Sequence, residues 1–519
     1  MKKTIIFTAL LALIALTGQA KVLASMLPAD WFVTDSVTIR GHIEDYDAER
    51  FGFSAMECSL CDVMAENGVL SMCINPDGSF EKRFLLSYPM KLSFRASDES
   101  RTGFNELLFF ARPGDVVDMT VRKNDYGKYE CFYADGSNSK DVERWLKADL
   151  QLKELVTPLL ACQGTFAEAN QVADETWQNM TDRFQAVSRR ERFTPFETQL
   201  AMAEMQCLFA LAYMDYAFYR ELALSKQELR DGIYYTEILD STEWAMLSDH
   251  KNYTALRHVD LNNPLLLTNN GFYILISRIQ YANDALRTML ETGKGNLTLQ
   301  LCAYKNLKDY FNSWRQNEEK AEERLADPAM AKWGGQDLPI LSKMYPLYLA
   351  ALTHPYIHQK AEQFYAAKMA QSEFAMPLPD TPTADFIRRL CAKYPGRYLV
   401  LDFWGMGCGP CRAAIQQSKD KRAEIAKRDD VKLVFIAEER TAEGSDSYRK
   451  YVSEWLADEE TVCLDRADFC RLQELFHFTA IPHYETITPD CRRVRDDLSI
   501  SSFYNFDYEL QKMKEKLRQ

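Results

Sequence analysis

Residues 398–427 constrain the fold of this chain more than any other stretch. An apolar run at 398–404 reads as a buried strand and breaks at Gly405 and Gly407. Cys408-Gly409-Pro410-Cys411 then opens a charged amphipathic helix over 412–427. A helix N-terminus presents N–H groups without intrahelical partners and the positive end of the peptide dipole, and both favour a thiolate at Cys408. Cys411 lies one turn deeper, near enough to attack a mixed disulfide formed at Cys408. Pro410 is tolerated in the first turn, where its missing N–H would be unpaired anyway. A lone Cys-x-x-Cys also suits zinc. With a strand before it, Gly-Pro inside it and a helix after it, the pattern points to a redox-active dithiol/disulfide pair.

Further along, 431–437 reads as a second buried strand, 447–456 and 469–476 as helices, and 484–487 as a short strand. Such alternation implies an α/β sheet. The proline-rich joint at 376–383 places this C-terminal domain at 376–519. Upstream the texture differs. Residues 30–137 hold alternating runs such as 37–43, and turn signals at Asn75-Pro76-Asp77-Gly78 and Arg112-Pro113-Gly114-Asp115, which predict a small antiparallel sandwich or barrel. Residues 138–375 are poor in glycine and proline. Their apolar residues recur at helical spacing, as in Leu200, Met205, Leu208, Leu211 and Met214, or Phe272, Ile276, Ile279 and Leu286. The expected fold class is multidomain: an N-terminal all-β domain of sandwich type, an α-helical middle region and a C-terminal α/β domain.

Met1-Lys2-Lys3, an apolar run at 5–16 and the small residues Gly18 and Ala20 have the layout of a secretory signal at 1–20 cleaved after Ala20, with cleavage after Ala24 as a second option. No later run is long and uncharged enough to span a membrane. The formal net charge of −13, with both signs interspersed, argues against nucleic acid as a partner. The thirteen cysteines cannot all pair internally and are irregularly spaced, so most read as buried apolar thiols rather than a disulfide scaffold. Cys58-Ser59-Leu60-Cys61 is a second Cys-x-x-Cys, but it lies among strands, with only Cys73 and His42 near enough to complete a zinc site; ordinary burial is the favoured reading, ahead of a local disulfide and of zinc. His354 and His358 are four apart with Pro355 between them, and no metal site is expected.

The stretch from Leu401 to Arg412 resembles the active-site segment of thioredoxins, and in particular of exported TlpA/ResA-like thiol-disulfide oxidoreductases. Ala480-Ile481-Pro482-His483-Tyr484, about seventy residues downstream of the cysteines, resembles the same family's cis-proline loop. The resemblance covers 376 to about 515 and implies a thioredoxin fold there. It further implies that Cys408 and Cys411 form the redox disulfide, that Pro482 faces them, and that the backbone of Ile481 holds a substrate peptide. Asp402 would be the buried acid serving Cys411 as general base, and Trp404 would pack beneath the active-site turn and shape the substrate surface. No cofactor is implied. The partners would be client proteins carrying disulfides or thiols and a membrane or periplasmic electron donor. The activity would be net reduction of client disulfides in the periplasm or cell envelope.

Two departures from the family stand out: Gly407 replaces the usual aromatic residue before the first cysteine, and Cys491 replaces a turn glycine. Cys463 and Cys470 could pair with each other or with Cys491, or remain inert. The arrangement of β region, helical region and redox domain also resembles large exported thioredoxin-like proteins of Bacteroidetes-type bacteria. Two other functions remain open: a protein- or glycan-binding module with an accessory thioredoxin domain, and a peroxidase. The peroxidase reading is weakened because the residues before Cys408 lack the proline and threonine of peroxiredoxins.

Overall fold

The computed structural model describes residues 31–518 apart from 66–67, 98–99, 231–232, 282–296, 299, 306, 309–344, 346–348, 351, 371–372, 440–442, 497, 501–502 and 504. The expected signal at 1–20 and Leu286 lie outside the described residues. Among those residues, no helix is long and apolar enough to cross a membrane.

The first eight strands form two four-stranded sheets. One has the order β4 (Ser79–Leu86), β1 (Asp35–Ile43), β7 (Val116–Lys123), β8 (Tyr129–Tyr133). The other has the order β3 (Gly68–Cys73), β2 (Ala55–Leu60), β5 (Met90–Ala96), β6 (Glu106–Ala111). Alternating residues such as Val37, Ile39, Phe94 and Phe109 are buried between them, as a sandwich requires. The turn at Asn75-Pro76-Asp77-Gly78 forms as expected. Gly78 has φ +85°, and a Cβ there would meet the Ile43 carbonyl oxygen at 2.4 Å, so only glycine fits. The sheet is not wholly antiparallel: β1 pairs with β7 in parallel, Thr38 opposite Val116.

The helical portion includes α1 (Leu152–Leu160), α2 (Phe166–Glu191) and α3 (Pro195–Ala223). The two long helices each start with a capping box, Thr165 with Glu168 and Thr194 with Glu197. Leu200, Met205, Met214, Phe272, Ile276 and Ile279 are buried, so the periodic stripes are core. One part of this portion is not helical: β9 (Ser225–Arg230) and β10 (Ile233–Ile238) form an antiparallel hairpin. Their paired ends Arg230 and Ile233 bracket Asp231-Gly232, a two-residue hairpin signal, and β10 begins with the β-branched and aromatic run Ile233-Tyr234-Tyr235-Thr236. The sandwich and the helices share one hydrophobic core. At their junction the Trp145 indole packs edge-on against Phe110 at 5.9 Å, and its Nε1–H donates to Glu204 at 2.8 Å.

The remaining strands form one six-stranded sheet in the order β11 (Ala375–Pro377), β16 (Arg492–Val494), β15 (His483–Ile487), β12 (Tyr398–Gly405), β13 (Val431–Glu438), β14 (Glu460–Leu464). Strands β12, β13 and β14 run parallel, while β15 is antiparallel to β12. Central strand β12 is covered on both faces. Leu399, Leu401 and Phe403 pack with α4 (Pro382–Lys393) and α8 (Arg466–Phe476). Val400 and Trp404 pack with α5 (Gly409–Gln417), α7 (Asp446–Trp455) and α9 (Phe506–Leu517). The helix expected over 412–427 is instead two, α5 and α6 (Lys419–Ile425), divided at Ser418.

Arg422 on α6 holds the far end of the cysteine-bearing helix. Its guanidinium is 3% exposed and bonds to Glu459 at 2.7 Å, to the Trp455 carbonyl at 2.8 Å and to the Ile415 carbonyl at 3.2 Å. Arg422→Leu would leave Glu459 buried without its partner, which costs about 3 kcal/mol or more. A clear fall in the denaturant midpoint of this region is the expected result.

Candidate functional site

Strand β12 ends at Gly405, at the carboxyl edge of the parallel strands, where open α/β sheets place their ligands. The chain turns through Met406 and Gly407, and Cys408 becomes the N-cap of α5. Cys408 and Cys411 are joined as a disulfide with Cα atoms 5.3 Å apart. The backbone N–H of Cys411 points at Cys408 Sγ from 3.1 Å. That contact would stabilise a thiolate once the bond is reduced, in addition to the dipole at the helix start. Cys408 is half-buried and Cys411 is buried, so Cys408 is the sulfur that an incoming disulfide can reach.

Across from the cysteines, the Ile481–Pro482 peptide bond is cis, and the Ile481 carbonyl oxygen lies 3.7 Å from Cys408 Sγ. Two segments some seventy residues apart thus meet at one sulfur. His483 follows directly and is held in place: its ring stacks on Phe478 at 4.1 Å and its Nε2 lies 2.8 Å from Glu485, which Arg493 also grips at 2.7 Å.

Asp402 is 2% exposed, and its Oδ2 has no hydrogen-bond partner. It lies on the β12 face that also carries Val400 and Trp404, the face packed with Cys411. Burial pushes its carboxyl up to about 8, and the Arg422 charge offsets only part of that rise. A group with that value can take and return a proton near neutral pH.

Trp404 is fully buried, stacked on Tyr448 at 5.7 Å and packed against Tyr451 at 5.4 Å. It has no exposed surface for a substrate to touch. The hydroxyl of Tyr451 donates in turn to the Arg412 carbonyl on α5 at 3.1 Å.

Gly407 is exposed, and a Cβ there would meet nothing within 4 Å, so the missing aromatic leaves open space beside Cys408. Cys491 has φ +62°, the left-handed conformation the expected glycine would have supplied. The other cysteines of this region are not joined in disulfides. Cys491 neighbours Cys391; burial and the Cys491 thiol push the Cys391 pKa up. Burial and the adjacent Glu57 carboxylate do the same to Cys470. Cys58 is buried, and no group of metal-ligating residues occurs among the described residues.

In front of the disulfide lies a cleft of about 1260 Å³. Cys408, Met406, Pro410 and Ile481 form one side, Glu438 and Arg466 lie at its edge, and Gly52, Ser97, Ser100 and Arg101 of the sandwich face them. None of the residues outside the cysteine and proline loops was singled out from the sequence. The only local signal was for Glu438, at the carboxyl end of an apolar parallel strand.

No family model matches the chain, and no curated protein matches it. Solved structures do. The chain is similar to the thioredoxin domain of a thiol-disulfide oxidoreductase from Bacteroides vulgatus, at 20% identity over 23% of this chain and 82% of that one, with a TM-score of 0.20. It is similar to a thiol:disulfide interchange protein from a Bacteroides species, at 20% identity over 22% and 74%, with a TM-score of 0.19. It is also similar to a thioredoxin-like protein from Bacteroides caccae, at 13% identity over 52% and 82%, with a TM-score of 0.22. At such TM-scores the chemistry has to be read from this chain's own residues.

The Asp402 carboxyl has a direct consequence for stability. Its ordinary pKa of 3.8 applies in the unfolded chain, against about 8 when folded. Between those values the folded state keeps a proton that the unfolded state has lost, so stability is full below pH about 4 and falls as pH rises towards 8. Asp402→Asn removes this slope. The variant is expected to melt higher than the native protein near pH 8, with the gap closing towards pH 4 in a series of thermal melts.

Proposed function

We propose that this chain is a thiol-disulfide oxidoreductase whose region 376–519 is a thioredoxin-type redox domain of the TlpA/ResA-like kind, acting on disulfides of client proteins after export to the periplasm or cell envelope. One observation carries the reading: a Cys408–Cys411 disulfide at a helix start, with Cys408 Sγ beside the carbonyl of a cis Ile481–Pro482 bond. The basic start and apolar run at 1–20 support export.

In the reduced protein the Cys408 thiolate attacks one sulfur of a client disulfide. The client S–S bond breaks, a client thiolate leaves, and a Cys408–client disulfide forms. Cys411 gives its proton to the Asp402 carboxylate and attacks Cys408 Sγ. The mixed disulfide breaks, the second client thiolate leaves and takes up a proton, and the Cys408–Cys411 disulfide forms. Two electrons pass from the dithiol to the client, and an external thiol donor must return them. Gly-Pro between the cysteines resembles reductive members of the family, which favours net reduction.

Single substitutions separate the steps. Cys408→Ser is expected to abolish disulfide reduction. Cys411→Ser is expected to accumulate a mixed disulfide at Cys408, visible by mass spectrometry. Asp402→Asn is expected to slow resolution about 10²-fold at neutral pH, since Cys411 loses its proton acceptor. A Cys408→Ser protein that still reduces client disulfides would overturn the reading.

A further inference from the structure

The dithiol does not open onto bulk solvent alone, because the N-terminal sandwich stands across the cleft from it. This placement is held by a set of polar contacts. The Arg466 guanidinium at the start of α8 binds Glu57 of β2 through two nitrogens, each at 2.8 Å, and reaches Glu438 of β13 at 2.7 Å. Further along α8, Glu474 accepts from Lys82 at 2.5 Å and from the Ser71 backbone N–H at 3.0 Å. A two-pronged guanidinium–carboxylate pair fixes orientation as well as distance. Arg466 and Glu57 are each less than a third exposed, so this bridge is less screened than a surface pair.

The opposite wall is chemically distinct from the dithiol side. Ser97 and Ser100 line it, the Ser97 hydroxyl donating to the Ala55 carbonyl at 2.9 Å and the Ser100 hydroxyl paired with that of Thr102 at 3.3 Å, and exposed Arg101 is steadied by one guanidinium nitrogen on the Glu49 carbonyl at 3.0 Å. Glu438 stands at the facing edge. The cleft, about 1260 Å³, exceeds the roughly 300–1,000 Å³ typical of small-molecule pockets. A folded domain of about 100 residues, with a radius of gyration near 13 Å, is too large to enter it. An extended chain fits, since its backbone can lie along Ile481 while its side chains reach the polar wall opposite.

Building on the redox reading above, we infer that the sandwich supplies the second wall of the substrate site. The substrate it selects is a disulfide carried on an extended peptide segment threaded between Ile481 and Ser97, Ser100 and Arg101. Selection is steric first: a disulfide embedded in the surface of a folded client is held away from Cys408, while one on an unfolded or protruding segment reaches it.

The test uses the full chain carrying Cys411→Ser, reduced, with an unfolded peptide whose cysteine bears an aromatic thiol leaving group and whose neighbouring residue bears a photo-crosslinker. Attack by Cys408 expels the aromatic thiol and leaves the peptide bonded to Cys408, with no Cys411 thiol to release it. Illumination is then expected to join the peptide to Ser97, Ser100 or Arg101. If the mixed disulfide forms but every crosslink falls within 376–519, the second wall is wrong while the redox reading stands. If no mixed disulfide forms at Cys408, both fail. In the same protein with Cys411 intact, Ser100→Trp is expected to raise the KM for a peptide disulfide about tenfold by narrowing the cleft. An unchanged KM would contradict the proposal.

Discussion

Burial of strand β12 between two helical layers sets the chemistry at its end. Side chains alternate along the strand, so Leu399, Leu401 and Phe403 fill one layer while Val400 and Trp404 fill the other. Asp402 falls on the second side, in an apolar setting that leaves one oxygen without a partner and raises its carboxyl pKa to about 8. A buried polar group in that condition is a cost to folding that a structural role alone does not explain. At the mouth of the same strand the environment reverses. Cys408 meets a helix N-terminus, where negative charge is favoured. The strand and the helix start that follows it therefore carry, six residues apart, a group biased towards holding a proton and a group biased towards losing one.

The second constraint is the contact between the sandwich and helix α8. Arg466 joins Glu57 and Glu438 in one cluster, so the sandwich is tied to the edge of the sheet that bears the cysteines. The cis-proline loop and the cysteines would make a redox site without this contact. With it, the site becomes a cleft with two walls, and the N-terminal portion gains a part in choosing what reaches Cys408. The sandwich also shares its core with the helices, so a change there bears on the position of the wall.

The parts legible in the sequence are those whose cause is local. The run from strand through glycine turn to cysteine-bearing helix could be read because each residue type there has its own backbone or dipole requirement. Gly78 could be read for the same reason, and Ile481-Pro482 through family resemblance. What escaped depends on distant partners. The parallel pairing of β1 with β7 joins Thr38 to Val116. The bond from Arg466 to Glu57 spans 409 positions, and neither residue looks unusual in its own neighbourhood. The hairpin at 225–238 is hidden for another reason: it lies within a stretch of helical periodicity, and the Asp231-Gly232 signal inside it is only two residues long. Trp404 illustrates a third limit, because an aromatic beside a reactive turn can face the core as readily as the substrate.

The account rests on Cys408 and Cys411 forming a working couple, and its reduction potential tests that most directly. Equilibration of the full chain in thiol/disulfide buffers, read by mass spectrometry at these two cysteines, is expected to give a value near the roughly −270 mV of reducing thioredoxins. A value near the roughly −120 mV of a strong disulfide donor, or no reversible couple at all, would contradict it.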